Sequence, residues 1–327
     1  MNKAIFGNAV RHIRRHGCFG ALGIYWHALR WKLHRDILHS EFLVRKVLGY
    51  RMLLCLQQEG ISETLNMHGK REAEHLYILD RVLREGMCVL DIGGNIGYYT
   101  LLLASRVGPE GKIYVVEPVP ANYRVLEKNV ELNGFGGRVE AFQMGISDQT
   151  TKRDMTLSQQ SNLHTFNEAP KPDVAASLDL SDETIQIPTE DLGTFVEGKR
   201  RPELIRMDVE GHEVEILSGL LREAEKRQWF PDILFECHAD MYDPETHDIA
   251  KPMENLFALG YRPLYMASAK EPASGFRTRG YSPEALVHDP GRERGIYEGV
   301  SAADVTAILQ EPGQARCLFI SHPSSGR

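Results

Sequence analysis

The amino-acid sequence predicts an α/β fold: a doubly wound, mostly parallel sheet with helices on both faces. Two observations predict it. Between residues 88 and 266 short apolar runs alternate with helix-length segments, the rhythm of βαβ units with right-handed crossovers. The first of these runs, Cys88 to Ile92, leads directly into the glycine turn Gly93-Gly94-Asn95-Ile96-Gly97, the kind of joint at which such sheets hold a nucleotide-like ligand.

Ahead of that alternation the first 51 residues carry ten Lys or Arg, two acids and five of the thirteen histidines. Leu22, Trp26, Leu29, Leu33 and Ile37 recur at helical spacing with Arg30, Lys32, His34 and Arg35 between them. Such a basic amphipathic helix either meets an anionic membrane surface or a lipid-linked substrate, or packs its stripe on the main domain or on a second subunit; the packed form is the expectation. The division expected is a basic helical extension over residues 1–65 and a main domain over 66–327.

Within the main domain, a helix is expected over 72–85, opened by Glu72 and Glu74 and stopped at Gly86. Strands then fall at 88–92, 113–117 and 139–146, with helices at 97–106 and 120–133 between them. Residues 151–190 break the rhythm with two short strand-like runs, around 155–157 and 184–188, about a polar stretch holding Ser161, Asn162 and His164. An insertion there would border the ligand cleft and shape a substrate pocket. The alternation resumes with strand 203–208, helix 211–226, strand 232–237, helix 251–259 and strand 261–266. Residues 268–300, rich in Gly, Pro, Ser and Arg, read as a lid or a solvated loop.

The glycine turn has a definite chemistry. Gly93, Gly94 and Gly97 lack a Cβ, so the chain turns tightly and a ligand can lie against bare backbone, facing the free N–H groups of the following helix. Glu117, twenty residues past Gly97 at the end of the next strand, can accept both ribose hydroxyls of an adenosine cofactor. Three features favour S-adenosylmethionine over NAD or FAD. The spacing is Gly-Gly-x-x-Gly rather than Gly-x-Gly-x-x-Gly, no Gly-Lys-Ser/Thr is present, and Asp91 stands two residues before the first glycine. A carboxylate there suits a cationic amino group and repels a pyrophosphate. Asn95 either hydrogen-bonds the cofactor or tolerates a left-handed backbone.

These residues carry a family resemblance. Asp91-Ile-Gly-Gly-Asn-Ile-Gly97-Tyr-Tyr-Thr, Val116-Glu117-Pro118, Gly145-Ile-Ser-Asp148, Ile205-Arg-Met-Asp208-Val-Glu210-Gly211-His-Glu213 and Leu234-Phe-Glu236-Cys-His238 follow one another as in the FkbM-type S-adenosylmethionine-dependent methyltransferases. The chain resembles that family over about residues 66 to 266, most specifically in the Asp-Val-Glu-Gly-x-Glu block. The resemblance implies a class I methyltransferase fold with a seven-stranded, Rossmann-like sheet, and O-methylation of a hydroxyl on a sugar, glycolipid or secondary metabolite. It also implies that Asp148 contacts the adenine amino group, where an ordinary turn acid is the alternative, and that Cys317-Leu-Phe-Ile320 inserts antiparallel at the sheet edge. Gly94 departs from the family's usual alanine, a change compatible with the same turn.

Methyl transfer from a sulfonium needs an aligned nucleophile and an acceptor for its proton. The expected catalytic set is Asp208, Glu236 and His238, which end neighbouring strands at one side of the sheet. Asp208 is the first choice of base, its alternative being a cap for the helix entered at Gly211. His238 is the best placed histidine, and His164 a weaker one. Asp208, Glu236, His238 and Asp240 also offer mostly hard oxygen ligands for Mg²⁺, as in some sugar methyltransferases of related fold, but their spacing matches no dedicated metal motif and no metal is expected.

Composition bounds the partners. With 327 residues, 25% charged, 42% hydrophobic and a formal charge of −7, the chain is an ordinary globular protein with no basic stripe for nucleic acid. Five cysteines without a Cys-x-x-Cys pair read as buried thiols of a reducing compartment. No apolar run reaches bilayer length, and residues 17–26 lack a following Ala-x-Ala site, so a cytoplasmic location is expected. The expected partner is a small-molecule, glycan or lipid-linked hydroxyl acceptor, with peripheral membrane contact or a homodimer through the N-terminal stripe. Two other functions stay open: an NAD-dependent dehydrogenase on the same glycine turn, and a module that binds S-adenosylmethionine without turnover.

Overall fold

A computed structural model describes residues 22–57, 60–160, 163–166, 179–242, 245, 247–289 and 291–325. Cys18, Ser161 and Asn162 lie outside the described residues. The chain separates into two units, Met1–Arg71 and Glu72–Arg327.

The first unit holds more than the helix expected of it. Residues 22–32 are helical and continue as one π-helical stretch, Leu33–Ile37. A hairpin follows, β1 (Phe42–Val47) antiparallel to β2 (Tyr50–Cys55), then a helix over Ile61–His68. Leu48 and Gly49 join the strands, both with positive φ, which matches the right-handed twist of a tight hairpin. The stripe of Leu22, Trp26, Leu29, Leu33 and Ile37 is between 41% and 68% exposed, so no described residue of this unit covers it.

The second unit is built on one sheet. β3 (Cys88–Ile92) is buried along its whole length, the signature of a central strand covered on both faces. It pairs in parallel with β4 (Lys112–Val116), and β4 with β5 (Val139–Phe142). Helices Tyr98–Arg106 and Pro120–Leu132 make the crossovers, the second starting on a proline whose missing N–H costs nothing in a first helical turn. The expected strand 139–146 is in fact two. A bend at Gln143-Met144 leaves β6 (Gly145–Ser147) in a separate three-stranded sheet with β7 (Thr151–Ser158) and β8 (Leu180–Asp191), which form the insertion.

The chain then returns to the other side of β3. β9 (Leu204–Met207) pairs in parallel with β3, and β10 (Asp232–Glu236) with β9. Crossover direction therefore reverses between β3 and β9, and a crevice opens at the carboxyl ends of these two strands. β11 (Arg262–Ser268), β12 (Ala285–Asp289), β13 (Arg292–Tyr297) and β14 (Ala315–Ser321) complete a nine-stranded sheet in the order β12-β13-β11-β14-β10-β9-β3-β4-β5.

The seven strands β5-β4-β3-β9-β10-β14-β11 form the expected α/β core, with β14 its one reversed member. Two expectations need correction. β14 is not at the edge: it lies between β10 and β11, where Cys317, Leu318, Phe319 and Ile320 are fully buried. Residues 268–300 are neither lid nor loop alone, because β12 and β13 form a hairpin that extends the sheet through β11. Cys88, Cys237 and Cys317 are buried free thiols, and Cys55 is a half-buried one.

Candidate functional site

The glycine turn is shaped by what presses on it. Gly93 has φ +79, and a Cβ there would press into the carbonyl oxygen of Asp208. A Cβ on Gly94 would collide with Val115 and lie 2.8 Å from Leu126. Glycine at position 94 thus sits in the turn that the resemblance implies, with Val115 and Leu126 closed against it. Gly97 (φ +91) precedes the helix Tyr98–Arg106 as its left-handed cap. Asn95 is left-handed too, at φ 48. Its side chain accepts from the Ile96 N–H, and its own N–H donates to Glu117 at 2.8 Å.

Glu117 is 4% exposed and also accepts from the Val119 N–H at 3.0 Å. Burial pushes its carboxyl up to about 7, against the lowering effect of these N–H donors. Asp91 is fully buried. Its two oxygens accept from Thr100 Oγ1 (2.7 Å) and the Arg206 guanidinium (3.2 Å), so it braces the turn from beneath. Asp148, just after β6, accepts from Arg153 at 2.7 Å and Ser147 at 3.1 Å and is partly exposed.

Asp208, Glu236 and His238 come together as the sequence expects, at the carboxyl ends of β9 and β10. Asp208 is the most open of them, its side chain 22% exposed, and Arg206 donates to its Oδ2 at 2.9 Å. Burial opposes ionisation of Asp208, but the Arg206 charge outweighs it and holds the carboxyl below its ordinary range. It caps no helix: the helix entered here runs Glu213–Arg227 with His212 at its cap position. Glu236 is paired through Oε1 with Arg316, while its Oε2 is buried without a hydrogen-bond partner among the described residues.

His238 sits inside a ring of carboxylates. Its Nδ1 is 2.7 Å from Glu213 Oε1; its Nε2 lies 3.3 Å from Glu210, 3.4 Å from Glu236 and 3.8 Å from Asp208. Burial disfavours the imidazolium, but Glu210 and Glu213 outweigh it and raise the pKa well above the usual histidine value. A ring so surrounded favours the imidazolium form. His164 is no better placed, since its Nδ1 accepts from the Ser158 N–H and burial lowers it to about 4.

Residues outside the expected set complete the site. Glu210 and Gly211 both take positive φ, and Glu210's carbonyl accepts from Thr165 Oγ1 at 2.9 Å, so the insertion does border the site. Glu213 is fully buried and also accepts from Tyr242 at 3.1 Å. Arg206 joins the two halves: it reaches Asp91, the Gly93 carbonyl (3.3 Å) and Asp208, and stacks 4.0 Å above the Tyr99 ring. Tyr99 donates in turn to Glu72 at 2.6 Å. The signal for Arg206 was present in the sequence, as a lone charge within the apolar run Leu204 to Met207, which is tolerated in a buried strand only when paired. Nothing local marks Arg316 or Glu72.

With this geometry in hand, the family model "Methyltransferase FkbM domain" matches residues 91–263, more than half of the chain. Among curated relatives, "Methyltransferase 1" of Beauveria bassiana is 32% identical over 145 residues, 40% of this chain and 57% of that protein. "Methyltransferase sdnD" of Sordaria araneosa is 29% identical over 158 residues, 40% of this chain and 60% of that protein. The chain thus spans less than two thirds of the length of either relative. Among solved structures, methyltransferase FkbM from Methylobacillus flagellatus aligns with TM-score 0.42 at 14% identity, covering 79% of this chain and 52% of that one.

Proposed function

The chain belongs to the FkbM methyltransferase family, and from that membership we propose that it transfers a methyl group from S-adenosylmethionine to a hydroxyl of a sugar, glycolipid or other secondary metabolite. One observation carries the assignment of the site. Gly93 of the cofactor turn packs its backbone directly against the Asp208 carbonyl, so a methyl donor lying on that turn is next to the acid cluster. Glu117 and the Asn95–Gly97 backbone support the adenosine, with the ribose hydroxyls donating to the Glu117 carboxylate.

The hydroxyl oxygen attacks the methyl carbon as the carbon–sulfur bond breaks, and the electron pair stays on sulfur as S-adenosylhomocysteine leaves. The hydroxyl proton passes to the carboxylate cluster, in which Asp208 is the most open member.

Calorimetric titration with S-adenosylhomocysteine and separately with NADH tests the cofactor half of this reading. Homocysteine-analogue binding is expected; NADH binding in its place overturns it in favour of a dehydrogenase. For the chemical half, Asp208→Asn is expected to retain the analogue and lose roughly 10²–10⁴-fold in turnover of a methylated acceptor. Unchanged turnover removes Asp208 from the reaction.

A further inference from the structure

We propose that Asp208, Glu236 and His238 bind one divalent metal cation, and that this cation holds the acceptor's oxygen beside the methyl donor. One donor atom from each of the three residues lies within 4.8 Å of the other two, as ligands around a common ion do. Proximity of acids alone would mean little. The telling feature is that Asp208 and His238 are each fixed through one atom and present another, while Glu236, whose Oε1 meets both Arg316 and, at 3.4 Å, His238 Nε2, keeps a second buried oxygen unbonded.

Asp208 is held through Oδ2 by Arg206, leaving Oδ1 3.8 Å from His238 Nε2. Glu236 is held through Oε1 by Arg316, and its Oε2 is buried with no hydrogen-bond partner among the described residues, on a side chain only 4% exposed. His238 is held through Nδ1 by Glu213, and its Nε2 is likewise buried and without a hydrogen bond. Tyr242 in turn fixes Glu213. This is how metal-binding imidazoles and carboxylates are oriented, each tied from behind by an outer partner. With the Nδ1 proton donated to Glu213, an ion would displace the proton carried on Nε2, whose lone pair then faces the other two ligands.

One imidazole with carboxylates suits a hard to borderline ion such as Mg²⁺ or Mn²⁺.

The inference rests on the methyl-transfer reading for what the cation holds. Asp208, Glu236 and His238 would hold the ion, which would orient the acceptor hydroxyl and lower its pKa, so that its proton is lost through the carboxylate cluster to solvent as the O–C bond forms and the C–S bond breaks.

Mn²⁺ binding to the chelator-stripped full chain, followed by loss of the free-ion electron paramagnetic resonance signal, tests this without any acceptor. One equivalent per chain is expected, with electron spin-echo modulation from one imidazole nitrogen, a signature that needs no variant. Glu213→Gln, which leaves all three ligands in place, is expected to weaken Mn²⁺ about 10- to 100-fold, while S-adenosylhomocysteine still binds. No Mn²⁺ bound at millimolar concentration, or Mn²⁺ bound with no nitrogen coupling, overturns the cation site. If the homocysteine analogue still binds in that experiment the methyltransferase reading stands; loss of both brings both down.

Discussion

Glu117, the proposed acceptor of the ribose hydroxyls, is expected to couple cofactor binding to pH. Its carboxyl is pushed from the ordinary 4.5 to about 7 by burial, whereas ribose hydroxyls donate to the ionised form. Binding therefore selects the carboxylate, and affinity is expected to rise with pH. With a free-protein pKa of about 7, roughly 9% of the protein is ionised at Glu117 at pH 6 and roughly 91% at pH 8, a tenfold gain in affinity or about 1.4 kcal/mol. The same shift bears on stability. A group with a folded-state pKa above its unfolded value contributes most below the unfolded value, and loses that contribution as pH rises through the folded one. From 4.5 to about 7 is 2.5 units, so the unliganded protein gives up at most about 3 kcal/mol across that window, and bound cofactor restores part of it. The assay is calorimetric titration of S-adenosylhomocysteine at pH 6 and pH 8 on the wild type and Glu117→Gln. The variant is expected to bind weakly at both, with the Glu117 part of the pH dependence gone. Equal wild-type affinity at the two pH values, or a variant as pH-sensitive as the wild type, refutes the reasoning.

Other expectations follow from single contacts. Gly94→Ala forces a methyl group against Val115 and Leu126, and thermal denaturation should show a loss of about 1–3 kcal/mol together with weaker S-adenosylhomocysteine binding. Arg206→Met strands the buried Asp91 carboxylate and frees Asp208; urea unfolding is expected to record about 3–5 kcal/mol of destabilisation, and a loss below 1 kcal/mol contradicts the pairing described. The exposed face of Leu22, Trp26, Leu29, Leu33 and Ile37, with Arg30, Lys32 and Arg35 alongside, is expected to sediment with vesicles of anionic lipid and to release in high salt. A dimer in light scattering without vesicle binding assigns that face to a second copy instead.

How much of this was legible in the sequence depends on how local each signal is. The run Cys88–Ile92, the glycine turn and Glu117 lie within thirty residues and were read directly, because parallel strands and tight turns are encoded by their own composition. Asp208, Glu236 and His238 were placed together from strand ends alone, and the structure brings them together. What was not legible is pairing at a distance. Arg316 reaches Glu236 and Glu72 from the far end of the chain, and neither its neighbours nor its spacing announces those partners. The hairpin β12–β13 was hidden for another reason. Its composition is that of a loop, and only the open edge of β11 gives it a sheet to join. The pairing of Asp91 with the buried Arg206 was not legible either, because the two lie over a hundred positions apart.

The placement of β14 also orders events in time. β10 and β11 cannot complete the sheet until Ala315–Ser321 slides between them, and Glu236 aligns with Cys317 in that register. A chain emerging from the ribosome thus carries β10 with one bare edge, and Glu236 without its counter-charge, for some eighty residues of synthesis. Nascent chains stalled in that interval would offer an unpaired apolar strand to any neighbour, including the same strand of another copy. The docking of β14 closes that edge and brings the Arg316 guanidinium to Glu236 in the same step.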